Sequence, residues 1–343
     1  MIEIAETLPI IDISLMKDDS QRDKIADEIE KACREFGFFY ISGHGISQDL
    51  IQRLEDLSKK FFALKEEIKM KWRMELAEKA WRGYFIVGGE YTSDLPDAKQ
   101  GLYLGSELDD DHEMVKNNTP IHGKNLLPSD QEEKEYDIEG FRKTIFEYMD
   151  QVTLLGHSVM ELIALSLKLP RNYFNEKYTK DPLILFRIFN YPSFKGEETN
   201  NYKWGVGEHS DYGLLTLLYQ DKVGGLQVRA KNGWIEAPPI PGTFVCNIGD
   251  MLERLTRGNY RSTPHRVRLN TSGETRISFP LFFDPHFNSL PTAIEGLQDV
   301  ENQDDSATRW DHVNLHNNTT YTYGEYLLGK IGKVFPDLKK KVL

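Results

Sequence analysis

The sequence has few cysteines, no long apolar run and no excess of positive charge. Its 343 residues include only two cysteines, Cys33 and Cys246, which is too few for a disulfide scaffold, so a reducing, cytoplasmic setting is expected. No segment approaches the roughly 18 consecutive apolar residues of a membrane-spanning helix. The acidic start MIEIAETLPIIDIS lacks the basic region of a signal peptide. We therefore expect no membrane partner.

The balance of charge is strongly acidic. The formal net charge is −12, from 42 basic and 54 acidic side chains. Contacts with nucleic-acid phosphates need clustered Lys and Arg, and the basic run KKK at 339–341 is expected to be a solvated tail. The sequence predicts no nucleic-acid partner, and a monomer that acts on a small molecule is the expected state.

The chain also lacks internal repeats and Pro/Gly/Ser linkers, which favours one compact unit. Apolar periodicity divides this unit into four consecutive regions. They are an N-terminal region of helices and strands at 1–130, a long supporting helix within 131–180, a β core at 181–290 and a C-terminal helical segment at 291–343.

Helical apolar spacing dominates the part of the chain before the β core. Ser20 and Asp23 form a capping-box pattern at the start of one such helix, and Gly37 ends it. The elements predicted before residue 180 are strands at 8–14 and 38–42 and helices at 21–36, 47–74 and 138–168. Residues 80–130 are rich in Gly, Asp and Pro and predict loops with short strands.

Short apolar runs alternate with turn signals after residue 182. The runs are LILFRIF, LLTLLYQ, GLQVRA, WIEAP, FVCNI, HRVRL and RISFPLFF. Asn232-Gly233, between the third and the fourth run, predicts a hairpin with a two-residue loop. Strands at this spacing are typical of an all-β sandwich or barrel. The predicted fold class is therefore mainly β with flanking helices, and a helix is expected again at 323–334.

The segment HSDYG at 209–213 places a histidine and an aspartate two residues apart, just before the apolar run LLTLLYQ. Side chains at positions i and i+2 of an extended strand lie on one face, about 6.6 Å apart. His209 and Asp211 can therefore converge on one metal ion. A polar loop without a ligand is the alternative interpretation.

A third metal ligand is predicted at His265. In HRVRL this histidine alternates with Arg266 and Arg268, which prefer solvent, so His265 is expected to face the interior. Two imidazoles and one carboxylate form the facial triad that is typical of non-haem Fe(II) oxygenases. The absence of cysteine ligands argues against a closed structural zinc site. A hydrolytic zinc site with the same ligands and a hydrogen-bonded core histidine stay open as alternatives.

An arginine and a serine share one face of the strand RISFPLFF. Arg276 and Ser278 begin this strand, 11 residues after His265. An arginine that faces a protein interior needs an anionic partner. A guanidinium with a hydroxyl suits a small dicarboxylate held through two parallel hydrogen bonds, and a core Asp or Glu is the alternative partner.

Longer motifs resemble the Fe(II)/2-oxoglutarate-dependent dioxygenases, in their isopenicillin N synthase-like branch. LPIIDIS and FGFFYISGHGI are similar to the family's N-terminal signature, and HSDYGLLTLLYQDKVGGLQV is similar to its H-x-D strand pair. NIGDMLERLTRGNYRSTPHRV resembles the segment with the distal histidine, and RISFPLFFDP resembles the R-x-S strand. DHEMVKNNTPIHGKNLLP is similar to a stretch of isopenicillin N synthases. Together these motifs cover most of the chain in the family's order.

The resemblance implies a double-stranded β-helix, or jelly-roll, core. It also implies that His209, Asp211 and His265 are the catalytic ligands of an iron ion, and that Arg276 and Ser278 hold the distal carboxylate of 2-oxoglutarate.

One further motif is matched in part. Tyr191 in FNYPSF corresponds to the tyrosine of the family's N-x-Y-P motif and is expected to contact the same cosubstrate. Phe189 stands where that motif has its asparagine, and Asn190 is shifted by one position. The role of the family's asparagine therefore does not transfer to Asn190.

The implied reaction couples oxidative decarboxylation of 2-oxoglutarate to hydroxylation, desaturation or cyclisation of a small organic substrate. It uses Fe(II) and dioxygen, with ascorbate as an expected stimulant. Phe282, on the face of Arg276, and Arg82 in WRGYF are the candidates for the substrate pocket. Core packing of Phe282 and a surface position of Arg82 are the alternatives.

Two alternative functions are carried on the same fold. The first is a 2-oxoglutarate-independent Fe(II) oxidase of the isopenicillin N synthase or aminocyclopropane-carboxylate oxidase type. The ending PDLKKKVL lacks the C-terminal glutamine of isopenicillin N synthases, which favours the cosubstrate-dependent enzyme. The second alternative is a non-catalytic sensor or binding protein, against which the complete triad argues.

Overall fold

The computed structural model describes residues 7–298, 300, 309, 312, 314–316 and 320–334. Its strands are β1 (Ile10–Asp12), β2 (Phe38–Ser42), β3 (Gly83–Phe85), β4 (Tyr91–Thr92), β5 (Leu95–Pro96), β6 (Gln100–Gly105), β7 (Leu183–Tyr191), β8 (Trp204–His209), β9 (Leu215–Gln220), β10 (Leu226–Ala230), β11 (Gly233–Glu236), β12 (Phe244–Ile248), β13 (His265–Arg268) and β14 (Arg276–Asp284).

The α-helices are α1 (Asp19–Glu35), α2 (Gln48–Ala63), α3 (Glu66–Lys69), α4 (Glu113–Lys116), α5 (Asp130–Glu135), α6 (Phe141–Ser166), α7 (Asp250–Leu255) and α8 (Tyr323–Val334). Three short 3₁₀ helices cover Met70–Trp72, Met74–Ala80 and Gly196–Asn201, and a single π turn covers Asn175–Thr179. Within the described residues, no helix is both long and apolar enough to span a bilayer.

Two sheets form the β core. The larger has eight strands in the order β1-β2-β12-β9-β14-β7-β6-β3, and the smaller has four in the order β11-β10-β13-β8. All the pairings in these two sheets are antiparallel except that of β1 with β2. From β7 to β14 the chain alternates between the larger and the smaller sheet, apart from the β10–β11 hairpin, which lies within the smaller sheet. This is the double-stranded β-helix arrangement, so the fold class predicted from the sequence is confirmed.

One face of the larger sheet is covered by helices. The long helix α6 packs against α1, α2 and strands β9 and β14. Its Tyr148 is fully buried and lies 5.4 Å from Phe186 and 5.7 Å from Phe279, measured between ring centroids. This apolar layer supports the sheet from outside, which leaves the opposite face, between the two sheets, for a cavity.

The helical pattern at 47–74 predicts one helix, but the structure contains a break. Helix α2 ends at Ala63, and Leu64 and Lys65 are extended, with ψ near 151° and 143°. The turn allows the buried Lys69 to donate to the carbonyl oxygen of Phe62 (3.0 Å) and to Gln100 on β6 (2.7 Å). No glycine or proline marks this break in the sequence.

Two local predictions are shifted by one or two residues. Asp18, and not Ser20, caps helix α1, because its carboxylate accepts a hydrogen bond from the Ser20 backbone N–H at 2.9 Å. In the β10–β11 hairpin, Ala230 pairs with Gly233, so the two-residue loop is 231–232 rather than Asn232-Gly233. The predicted solvated tail at 339–341 lies outside the described residues.

Candidate metal centre and its cavity

Three side chains meet between the two sheets. His209 ends β8, Asp211 follows it in the next turn, and His265 begins β13 directly opposite His209 in the strand register. The Nε2 atoms of His209 and His265 lie 3.8 Å and 3.7 Å from Oδ1 of Asp211. One potential ligand atom from each side chain lies within 4.8 Å of the other two. Antiparallel pairing of β8 with β13 therefore brings together residues that are 56 positions apart.

In both histidines, the ring nitrogen that faces away from the meeting point forms a hydrogen bond with the backbone. Nδ1 of His209 lies 2.8 Å from the Gly207 carbonyl oxygen, and Nδ1 of His265 lies 3.2 Å from that of Thr263. A carbonyl only accepts, so each Nδ1 carries the proton and each Nε2 keeps its lone pair. Such contacts to the remote nitrogen orient histidine ligands in metal sites.

The carboxylate of Asp211 is oriented in the same way. Its Oδ2 accepts hydrogen bonds from the Thr216 hydroxyl (2.5 Å) and from the Asn247 amide (2.7 Å). Oδ1 is thereby left to face the two Nε2 atoms. Burial and the neighbouring His209 lower the pKa of His265 to about 4, so this imidazole is neutral, as a metal ligand must be. Two nitrogens and one oxygen on a single side fit a divalent metal with open positions.

Arg276 begins β14 and faces the same cavity. It is 1% exposed, and its guanidinium carbon lies 4.6 Å from the ring centroid of Tyr191. One nitrogen, Nη2, donates to Gln220 at 3.2 Å, whereas Nε and Nη1 are buried without a hydrogen-bond partner. Among the described residues no carboxylate pairs with this guanidinium within 4.0 Å. The core Asp or Glu considered as an alternative partner is absent there, and the unpartnered nitrogens fit an anionic ligand.

Strand β7 contributes the wall beside Arg276. Tyr191 and Phe189 line the cavity, because odd-numbered residues of this strand face it. Asn190 points the other way, where it accepts from Gln100 (3.1 Å) and donates to Thr275 (2.9 Å). The one-residue shift seen in the sequence therefore removes Asn190 from the cavity, as expected from strand alternation.

The cavity has a volume of about 140 Å³. At about 10–15 Å³ per water molecule this corresponds to roughly ten waters, which restricts its contents to small molecules. Ser278, Phe282 and the three candidate ligand side chains are among its lining residues, so all but one of the predicted site residues lie on one cavity.

Arg82 is the exception. Its guanidinium is 1% exposed and lines a separate small cavity with His112, His122 and His286. Nη2 donates to the Ile121 carbonyl oxygen at 2.8 Å. The arginine is therefore buried in this second cavity, and it does not line the cavity that holds the metal candidates.

Four charged residues that line the main cavity were not predicted as site residues, namely Glu90, Lys99, Arg187 and Asp284. Arg187 on β7 and Asp284 at the end of β14 are 7% and 2% exposed, and both line the cavity. The alternation of side chains along a strand could have predicted that Arg187 and Asp284 face the cavity. Arg187 lies two and four residues before Phe189 and Tyr191, and Asp284 lies two residues after Phe282 on the face of Arg276.

A buried ion network stabilises the strand that carries His209. Lys99 contacts Asp97 (2.5 Å) and Glu90 (2.7 Å), and Asp97 accepts from the Gly207 backbone N–H at 3.0 Å. The Gly207 carbonyl in turn holds Nδ1 of His209. The network therefore fixes the backbone on which one metal candidate depends.

The C-terminal helix closes one side of the cavity. Leu327, Ile331 and Val334 of α8 are lining residues. The opposite side of the helix is held by Asp250 of α7, which is fully buried and contacts Lys330 at 3.6 Å. Asp250 also accepts a hydrogen bond from the Tyr326 hydroxyl at 2.6 Å.

Comparison with known families covers both halves of the chain. The model of the 2OG-Fe(II) oxygenase superfamily matches residues 182–285, which contain the metal candidates and Arg276. The model described as non-haem dioxygenase in morphine synthesis N-terminal matches residues 8–130.

Several whole-length relatives are known. A Dictyostelium discoideum protein named "Probable iron/ascorbate oxidoreductase" is 64% identical, over 98% of this chain and 97% of its own. The 1-aminocyclopropane-1-carboxylate oxidase of the same organism is 46% identical, over 97% and 96%. The crystal structure of full-length Neurospora crassa T7H in complex with alpha-KG and thymine superimposes with a TM-score of 0.78. It is 29% identical, over 97% of this chain and 98% of that one.

Proposed function

The chain belongs to the 2OG-Fe(II) oxygenase superfamily, and from this premise we propose that it couples oxidative decarboxylation of 2-oxoglutarate to oxidation of a small organic substrate. The observation that carries the proposal is the coexistence of two arrangements in one cavity. One is the convergent His209, Asp211 and His265, and the other is the buried guanidinium of Arg276 with two unpartnered nitrogens.

We assign His209, Asp211 and His265 as the ligands of Fe(II). The support is their geometry, since each offers one free lone-pair atom towards the same point while its other polar atom is held by the protein. Three protein ligands leave coordination positions for a cosubstrate and dioxygen. The bound iron would supply the activation of dioxygen, and the chain supplies the positioning of the reactants and a small, largely apolar enclosure.

We assign Arg276 and Ser278 to the distal carboxylate of 2-oxoglutarate, with Tyr191 beside them. The guanidinium is pre-organised, because it rests on the Tyr191 ring and one nitrogen is fixed by Gln220. A carboxylate that accepts from its two free nitrogens forms charge-assisted hydrogen bonds, which are worth about 1.5–3 kcal/mol each. Ser278 lies two residues along the same face of β14 and lines the same cavity.

A 2-oxoglutarate-independent oxidase is the second candidate. The observation that favours it is the 46% identity to the 1-aminocyclopropane-1-carboxylate oxidase of Dictyostelium discoideum over nearly the whole chain. T7H, one of the neighbours of known structure, was solved with alpha-KG bound, which favours the first candidate. Both use the same metal ligands, so the two are separated by the cosubstrate requirement.

The deciding experiment measures oxygen uptake and succinate formation by the Fe(II)-loaded enzyme, with and without 2-oxoglutarate and ascorbate. Succinate formed in proportion to oxygen consumed supports the dioxygenase. Ethylene formed from 1-aminocyclopropane-1-carboxylate without 2-oxoglutarate supports the oxidase. The His209→Ala variant is the control, since both activities require the metal. An enzyme that binds neither Fe(II) nor 2-oxoglutarate would contradict both candidates.

Members of the family act on small molecules, and we propose amino acids and related polar compounds as the first substrates to test. The support is the chemistry in the name of the 46%-identical relative. We further propose a monomer and a cytoplasmic location; the location is supported by the two cysteines, which are unpaired and buried.

A further inference from the structure

Strand β14 presents one continuous face to the cavity. Its alternate residues Arg276, Ser278, Pro280, Phe282 and Asp284 all line it. Eight residues separate the first from the last, which is about 26 Å along a strand. The face therefore begins with a buried cation, which the proposed function assigns to 2-oxoglutarate, and ends with a buried carboxyl group that this function leaves unassigned.

The carboxyl group of Asp284 is incompletely satisfied. Oδ2 accepts a hydrogen bond from the Tyr323 hydroxyl at 2.5 Å, but Oδ1 is buried without a partner. Oδ1 occupies the space where a side chain at Gly213 would begin, since a Cβ there would lie 1.5 Å from it. Burial raises the pKa of Asp284 to about 7. The surrounding protein therefore gives little stabilisation to a negative charge on the Asp284 carboxyl group.

Arg187 supplies the opposite charge on the neighbouring strand. Its Nη1 donates to the carbonyl oxygens of Leu104 and Phe186, each at 3.1 Å, and its guanidinium carbon lies 3.6 Å from the Tyr103 ring centroid. In the part of the chain that the structure describes, Arg187 forms no ion pair within 4.0 Å, and Asp284 forms none either. The guanidinium is therefore fixed in direction and has no carboxylate at ion-pair distance. Glu90 and Asp284 act on it only at longer range.

The other charges of the cavity have partners or assignments. Lys99 is paired with Glu90 and Asp97. Asp211 belongs to the proposed metal centre. Arg187 and Asp284 remain, one positive and one negative, and they attract each other without forming an ion pair within 4.0 Å. A buried charge without a close partner costs several kcal/mol. A ligand that carries both complementary charges would satisfy the two at once.

We propose that the prime substrate is a zwitterion of the amino-acid class, whose cationic nitrogen binds Asp284 and whose carboxylate binds Arg187. This assignment rests on the proposed function, because that function accounts for the other polar groups of the cavity. Asp284 and Arg187 then determine specificity, and Tyr323 is a positioning residue that holds the Asp284 carboxyl group through Oδ2.

The test uses matched compounds that remove one charge at a time. A panel of α-, β- and cyclic amino acids is compared with the N-acetyl forms, which lack the cation, and the methyl esters, which lack the anion. Binding is followed in two ways, by the change in visible absorption of the Fe(II)- and 2-oxoglutarate-loaded enzyme under nitrogen, and by thermal stabilisation of the metal-free protein. Succinate release reports turnover.

We expect at least one free amino acid to bind at least tenfold more tightly than both of its capped forms. Asp284→Asn should reduce the preference over the N-acetyl form to less than threefold, and Arg187→Gln should do the same for the preference over the methyl ester. Tyr323→Phe should weaken amino-acid binding a few-fold while keeping both preferences. Arg266→Gln, whose guanidinium lies 3.9 Å from the Trp234 ring centroid outside the cavity, is the matched control and should change neither.

Several results would overturn the inference. A wild-type enzyme that prefers no free amino acid over its capped forms decides against a zwitterion without any variant. Full preference retained in both Asp284→Asn and Arg187→Gln would show that neither residue determines specificity. Failure of the proposed function looks different, since the Fe(II)-and-2-oxoglutarate absorption would be absent while amino acids still stabilise the metal-free protein.

Discussion

Replacement of Asp250 by asparagine should both destabilise the protein and open the cavity. Asp250 is fully buried in α7, and its carboxylate contacts Arg309, Lys330, Ser262 and Tyr326. Asparagine has nearly the same shape but no charge, so Arg309 and Lys330 lose their shared counter-ion. Breaking a buried ion pair on one side typically costs about 3–5 kcal/mol, and that is the loss expected in the free energy of unfolding.

The expected shift in melting temperature follows from the size of the chain. At about 2.1 cal/mol/K per residue, 343 residues have an unfolding entropy of about 0.7 kcal/mol/K. A loss of about 3–5 kcal/mol therefore corresponds to a decrease in Tm of about 4–7 °C. Calorimetry and urea denaturation of the metal-free protein measure the two quantities independently.

Two control variants should lose much less stability than Asp250→Asn. Tyr326→Phe removes one hydrogen bond to the same carboxylate and should cost about 1 kcal/mol. Asp137→Asn breaks an ion pair with Lys60 whose side chains are 90% and 52% exposed, and it should cost less than about 1 kcal/mol.

The Asp250 variant should also affect the active cavity. Lys330 and Tyr326 lie on α8, the helix that carries Leu327 and Ile331 into the cavity. A loosened helix should raise the KM for the prime substrate and increase succinate formation that is not coupled to substrate oxidation. If Asp250→Asn lowers stability by no more than Asp137→Asn does, and coupling is unchanged, then the carboxylate does not hold the helix and the reasoning is refuted.

Four further outcomes are expected. Burial alone would raise the pKa of Asp250, but Arg309 and Lys330 hold this pKa below its usual value. The charged carboxylate therefore stabilises the fold above about pH 4. The difference in unfolding free energy between the wild type and Asp250→Asn should shrink as the pH falls below that value. His209→Ala should abolish Fe(II) binding in equilibrium dialysis while circular dichroism stays unchanged, and retained iron would contradict the ligand assignment. Arg276→Ala should raise the KM for 2-oxoglutarate about 100-fold or more, since two charge-assisted hydrogen bonds of about 1.5 kcal/mol each are lost, whereas an unchanged KM would mean another anchor. Thr216→Val removes a hydrogen bond to Asp211 and should weaken Fe(II) binding about 10-fold or more, with the far-ultraviolet spectrum as the control; equal affinity would show that this contact does not orient the ligand.

Strand alternation made much of the candidate site predictable. In HRVRL the two arginines indicate the solvent face, and His265 is 7% exposed as expected, whereas Arg268 is exposed. The same rule places Arg276, Ser278 and Phe282 on one face, and all three line the cavity. Alternation is a local property of the backbone, so a short sequence contains it completely.

The break after α2 and the position of Arg82 were not predictable in this way. The break serves a contact between Lys69 and Gln100, which lies 31 positions away on another element. Arg82 lies in the segment WRGYF, but the cavity that its side chain lines depends on how β3 pairs with β6. Neither signal is contained in a local pattern of apolar residues.

The sequence by itself determined the kind of elements, the faces of the core strands and the residue types available for a metal and an anion. Apolar spacing and alternation are enough for this, because they depend on neighbours within a few positions. Only the tertiary structure decided that Arg187 and Asp284 share a cavity without pairing, and that Asp250 connects α7 to the C-terminal helix. The physical reason is that ion pairs and cavities are set by distances between strands and helices far apart in the chain, which no local pattern specifies.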